Sequence, residues 1–440
     1  MGTRLRLFAA AALMWAGQAA AVPTIQTWTT SNGAKVLFVE THQLPIVQAQ
    51  VTFDAGSARD KPEKAGLARL TNHMLMEGVE GMDADQIAEH FDGLGAEMGA
   101  TSLRDMGLLQ LRSLSDRKLL DPALEVFARL YAAPTFPETN LARELARAKL
   151  AVVQEKSNPA AIAEKEFMKA VYRDHPYAVP PGGTEETLDR IARHDLVAFH
   201  RQYYVGKNAV ISLVGDLTPD AAHSVAERLM KGVASGAKAA DLPPVKDLEK
   251  GQTVRYEFPS SQTHFLMGQP GVYRGDPDYF PLYVGNYILG GGGLVAILSQ
   301  EVREKKGLAY SAYSGFSPMR RKGPFELSLQ TKNDQLEQAQ AIAIKVLKDF
   351  VASGPTEQQL EKAKKHITGG FPLNIDSNKK IAGYLGVIGF YGLPINYLDE
   401  FIDNINAVTA AQIRDAWQRR IHPHRMVTVI VGEGVTSAKP

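Results

Sequence analysis

The chain of 440 residues contains no cysteine. That excludes a disulfide framework, a thiolate zinc site, a cysteine nucleophile and lipid anchoring through an N-terminal cysteine. It also carries almost no net charge, +1 from 49 Lys and Arg against 48 Asp and Glu. Neither nucleic acid nor an anionic membrane surface is therefore expected as a partner. A membrane span is missing too. The apolar run from Leu7 to Gly17 has 11 residues, whereas a spanning helix needs about 20.

That run is informative in another way. Arg4 and Arg6 precede it and Ala19-Ala20-Ala21 follows it. A basic start, a short apolar core and an A-x-A site make a signal peptide over 1–21, with a mature chain from Val22. The signal is bacterial in type, so the periplasm is the expected compartment. Losing Arg4 and Arg6 leaves the mature chain near neutrality.

The rest, 45% hydrophobic and 22% charged, is ordinary globular material long enough for two or three domains. Two segments match each other. Asn208-Ala209-Val210-Ile211-Ser212-Leu213-Val214-Gly215-Asp216 and Arg425-Met426-Val427-Thr428-Val429-Ile430-Val431-Gly432-Glu433 are both β-branched runs closed by Val-Gly-acid. Each follows an amphipathic helical pattern, and the interval from Gly215 to Gly432 is about half the chain. That interval predicts a duplicated domain: 22–231 and 248–440, joined across 232–247. The joining stretch has small residues followed by Pro243-Pro244 and reads as an exposed linker. Val47 to Asp54 alternates as a strand, with Val47, Ala49, Val51 and Phe53 on one face. Leu141 to Ala170 is helical and broken near Pro159. Each half is expected to be α+β, a mainly antiparallel sheet with helices packed on one side.

The stretch Gly66-Leu67-Ala68-Arg69-Leu70-Thr71-Asn72-His73-Met74-Leu75-Met76-Glu77-Gly78 resembles the zinc helix of the pitrilysin/insulinase metallopeptidases, the inverzincins. There it reads G-L-A-H-F-L-E-H-M-L-F-x-G, with two histidines one turn apart on zinc and a glutamate activating water. Here Arg69 stands at the first histidine and Asn72 at the glutamate, and only His73 remains. The resemblance implies a third ligand, a glutamate, on a second helix further along the chain. The family's spacing from the second histidine falls here on Leu150 and Ala151, with Glu144 and Glu155 each more than one helical turn away. The expectation is no metal site in this chain, because zinc needs at least three protein ligands and Arg69 repels a dication. Gln86-Ile87-Ala88-Glu89-His90 is a second near match, but the flanking words fix the register at 69–73. Gly95 to Ser102 matches the family's edge strand beside which substrate lies.

A second match lies in the other half. Leu289-Gly290-Gly291-Gly292-Gly293 leads to Gln300-Glu301-Val302-Arg303-Glu304-Lys305-Lys306-Gly307-Leu308-Ala309-Tyr310-Ser311, which is similar to the family's L-G-G-G…E-x-R-E-K-x-G-L-A-Y-S. The glycines lack the spacing of a phosphate or dinucleotide loop. The family's Ser-Arg after them is replaced by Val295-Ala296-Ile297. The resemblance implies that Arg303 holds a substrate carbonyl and that Tyr310 donates to the developing oxyanion. A helix ending near Lys306, with Gly307 as its left-handed cap, would set both at one crevice.

The family includes paired half-enzymes, in which a zinc-less subunit lends Arg and Tyr to a zinc-bearing one. This chain has the zinc-less profile: Arg69, Asn72 and His73 as a degenerate motif, with Arg303 and Tyr310 kept. The resemblance thus implies a non-catalytic subunit in half of a clamshell. Its partner would be a homologue with an intact H-x-x-E-H that carries the zinc, and peptides would be the substrates. The alternative is a structural or peptide-binding protein without peptidase activity. An active protease with rearranged ligands is opposed by Arg69.

Overall fold

The structure is a computed structural model that describes residues 24–435; the expected signal segment 1–21 lies outside them. Its frame is two sheets of matching topology. The first contains β1 (Gln26–Thr29), β2 (Lys35–Glu40), β3 (Ile46–Phe53), β6 (Glu97–Ser102), β7 (Gly107–Leu114) and β8 (Ala209–Gly215), in the order β1-β2-β8-β3-β7-β6. A two-stranded ribbon, β4 (Gly78–Val79) with β5 (Met82–Asp83), stands apart. The second sheet contains β9 (Gln252–Glu257), β10 (Gln262–Pro270), β11 (Ala309–Phe316), β12 (Pro324–Lys332) and β13 (Val427–Gly432), in the order β11-β12-β10-β13-β9. In each sheet one parallel pair, β2 with β8 or β13 with β9, adjoins an antiparallel run. The two Val-Gly-acid segments become the equivalent strands β8 and β13. It follows that β6 and β11 are equivalent edge strands, and they carry the two matched motifs' neighbourhoods.

The halves exchange a helix. The long helical stretch is broken as Pro159 predicts, into α2 (Glu138–Glu155) and α3 (Pro159–Tyr172), with α1 (Leu67–Met74) before them. Proline is tolerated at the first position of α3, where no intrahelical N–H bond is lost. Phe167 and Val171 of α3 do not join the first core; they pack with Leu266, Val427, Val429 and Val431 of the second sheet. In return α4 (Asn378–Tyr391) lies on β3 and β8 of the first. This explains a departure from simple alternation in β3, where Gln48, Gln50 and Thr52 are buried as fully as Val47 and Val51. Each sheet carries its own helices on one face and one helix of the other half on the opposite face. The approach is close enough that a Cβ on Gly386 would stand 2.3 Å from Gln50 Nε2.

Polar groups fix the joint. Buried Asp105 accepts from Tyr177 Oη (2.8 Å) in the first half and from Tyr391 Oη (2.9 Å) and the Arg320 N–H (2.7 Å) in the second. The 232–247 stretch forms no helix or strand and is mostly exposed, but it is not loose. Leu242 is buried, and the carbonyls of Ala240, Leu242 and Pro243 bond Arg59, Arg321 and His175. The linker expected from composition is a strap along the joint.

Candidate functional site

Helix α1 begins at Gly66, whose φ of 98° is a left-handed value that glycine adopts without strain. Asp60 supplies the missing cap: its carboxylate accepts from the N–H groups of Gly66 (2.9 Å) and Ala68 (2.8 Å). Burial pushes that carboxyl up to about 7, against the two N–H bonds that favour the anion. Ala68, Leu70 and Met74 face the core. The helical period then turns Arg69 and His73 outward together. Asn72, at the position of the family's general base, is buried instead and donates to Tyr204 Oη at 3.2 Å. It still contributes to the lining of the cleft that Arg69 and His73 face.

Arg69 and His73 line a cleft of about 490 Å³ between α1, α2 and the edge strand β6. Ala100, Thr101 and Ser102 of β6 form one wall, and Ala148, Ala151 and Glu155 of α2 another. The outcome for α2 differs from the spacing argument. Ala151 does stand in the cleft wall. Glu144, excluded in sequence as too distant, meets His73 with its Oε2 3.0 Å from His73 Nε2. The reason is helical geometry: positions 144 and 151 are separated by close to two turns, so 144, 148, 151 and 155 share a face.

His73, Glu77 and Glu144 offer ligand atoms within 4.8 Å of one another. The donor set nevertheless does not suit zinc. Glu144, 5% exposed in its side chain, is already bonded by Arg147 Nη1 (2.7 Å) and Arg143 Nε (3.1 Å) as well as by His73. Glu77 is held by Arg143 and by Asn140 Nδ2 (2.8 Å). Guanidinium groups thus supply the positive charge that buried carboxylates need, and a dication entering there would meet two arginines. Arg69 stands where the first histidine would be. Glu77, Arg143 and Arg147 were not singled out in the sequence, although the i, i+4 spacing of His73–Glu77 and of Arg143–Arg147 was there to read.

In the second half the helix leading to Arg303 winds as a π-turn over Ser299–Glu304. Gly307 follows at φ 63°, and its N–H bonds the Arg303 carbonyl at 2.8 Å while the Leu308 N–H bonds Val302 O at 3.0 Å. This is the expected left-handed cap. Tyr310 occupies a bulge near the start of β11, between Ala309 and Ser311. A bulge re-aims a side chain, and here it leaves Tyr310 81% exposed at a sheet edge. The Arg303 guanidinium lies 4.9 Å from the centre of its ring, a cation–π contact that pairs the two groups. The cleft around His73 is lined only by residues between 66 and 188, so Arg303 and Tyr310 are not part of it. The decoy at Gln86–His90 has other duties: Gln86 completes a capping box with Asp83, and His90 bonds Pro122 O at 3.2 Å.

The family model described as insulinase (peptidase family M16) matches residues 35–185, and that described as the peptidase M16 inactive domain matches 190–367. A solved structure described as a peptidase M16 inactive domain from Pseudomonas fluorescens is 40% identical, with a TM-score of 0.91 over 95% of this chain and 99% of its own. The chain belongs to the insulinase family, peptidase family M16. Among curated M16 relatives, an uncharacterized zinc protease YmxG of Bacillus subtilis is 27% identical over 88% of this chain and 94% of its own length. A protein of Helicobacter pylori named non-peptidase homolog YmxG is also 27% identical, over 87% of this chain and 89% of its own. Of the two M16 models, the first spans β2 to β7, and the second takes in β8 of the first sheet together with β9 to β12 of the second.

Proposed function

We propose that this M16 chain is a non-catalytic subunit of an exported, periplasmic, heterodimeric zinc metallopeptidase. It lends Arg303 and Tyr310 to a homologous partner that has an intact H-x-x-E-H and carries the zinc, and together they act on peptides. The observation that carries this reading is a separation. The zinc motif has lost its ligand and base at Arg69 and Asn72, while Arg303 on its π-turn and Tyr310 on its exposed bulge stand paired outside their own chain's cleft. A phenol that exposed contributes little to folding, so its setting suits service to a surface brought from elsewhere. A hydroxyl and a guanidinium aimed at a developing oxyanion are worth about 3–4 kcal/mol per donor. The relative named a non-peptidase homolog is consistent with inactivity of the isolated chain.

The test is turnover of quenched fluorescent peptides by the H-x-x-E-H homologue from the same genome, alone and with this chain. Activity should appear with the mixture and fall by a factor of about 100 or more when Tyr310→Phe and Arg303→Ala are combined. A stable complex whose turnover ignores both substitutions would sink the donated site. It would leave the alternative, a structural or peptide-binding protein.

A further inference from the structure

We infer that the cleft beside β6 is a receptor for a carboxylate carried by an extended peptide, with Arg69 as its anchor. The inference rests on the reading of this chain as one that handles peptides, and it gives the lost zinc ligand a new task. Arg69 is exposed to the cleft and, among the described residues, makes no hydrogen bond or ion pair. The other cations there are engaged. Arg147 points at Glu144, whose charge it and Arg143 offset, and His73 stands against the same carboxylate. Arg69 is therefore the cation left over at a concave surface.

The wall opposite is β6, whose outer edge has no strand beside it. An extended segment adding to that edge would turn alternate side chains toward α1. A carboxylate so placed can take two parallel bonds from a guanidinium, a geometry that lysine or histidine cannot offer. One group competes. Glu155 lies across Gly182 from Arg69: a Cβ on Gly182 would be 3.5 Å from Arg69 Nη1 and 3.8 Å from Glu155 Oε1. The two do not form an ion pair, and the missing side chain at Gly182 keeps the space between them open. Arg69 and Glu155 should consequently affect binding in opposite directions.

The experiment uses the full mature chain and fluorescein-labelled nonapeptides of one extended sequence, with Glu or Gln at the centre, each with a free or an amidated C-terminus. Polarisation titration should show at least about tenfold tighter binding for a carboxylate-bearing peptide. The free-acid and amide arms tell a side-chain carboxylate from a terminal one. Arg69→Ala should abolish the preference, and Glu155→Gln should strengthen it by severalfold. Arg69 is exposed, so an unchanged thermal midpoint is expected and verifies the fold. Equal binding of all four peptides, or a preference that survives Arg69→Ala, overturns the inference while sparing the peptide reading. Binding of none of the four overturns both.

Discussion

His73 Nε2 and Glu144 Oε2 lie 3.0 Å apart, one on α1 and one on α2, at the place where the family resemblance would put a metal. The contact is an internal substitute for a metal. Glu144 is too buried to stay an unpaired anion; Arg143 and Arg147 offset its charge at one oxygen, and His73 Nε2 stands against the other.

Restoring the motif words alone should accordingly fail. Arg69→His with Asn72→Glu should bind no stoichiometric zinc by equilibrium dialysis and metal analysis, because Ala151 offers no third ligand and the arginines remain. Adding Ala151→Glu should bring about one equivalent, since zinc sites close on three or four protein ligands. One equivalent in the double variant would show that Glu144 can leave its arginines for a metal.

The joint between the halves should be sensitive at Asp105. Asp105→Ala strands the buried Tyr177 hydroxyl, the half-buried Tyr391 hydroxyl and the Arg320 N–H, at a cost of about 3–5 kcal/mol. Asp105→Asn keeps an acceptor and should cost less than half as much. Urea denaturation of the two variants measures the difference.

Gly389 offers a test of sign. Alanine is the better helix former by about 1 kcal/mol. A Cβ there would, however, come within 2.4 Å of Val210 Cγ1 and 2.6 Å of Leu37 Cδ1. Gly389→Ala should destabilise by about 1–3 kcal/mol through overpacking of α4 on the first sheet. A rise in thermal midpoint would mean that α4 does not pack so closely.

Stability should depend on pH through Asp60. Its carboxyl is pushed up to about 7 by burial, from about 3.9 in the unfolded chain. Between those values the folded protein holds a proton that the unfolded chain has released. The contribution is thus full below about pH 4 and is lost as pH rises toward 7. Glu326, also pushed up to about 7 by burial, has the same sign. Buried His175 and half-buried His200, held below the usual histidine range by desolvation, oppose it: their contribution is present above about 6.5 and is lost as pH falls. The Asp60 share is isolated by comparing wild type with Asp60→Asn at pH 5 and pH 7. The variant should lose less stability over that interval, and an identical slope in both would refute the assignment.

Much of this chain was legible in its residues because local chemistry dictates it. The break at Pro159, the left-handed Gly307, the outward pairing of Arg69 with His73 and the repeat marked by Gly215 and Gly432 all follow from backbone sterics and period. The departure from the H-x-x-E-H pattern needed only the identities at 69 and 72. What the sequence could not contain was placement between elements distant along the chain. Which helix covers which sheet is decided by the shape of two complete cores, so the exchange of α3 and α4, and the burial of Gln48 and Gln50 that it causes, emerged only in three dimensions. The same holds for Glu144: its count from His73 argued against it, and the packing of α2 on α1 put it there, because a helix face and not a residue count decides which side chains meet.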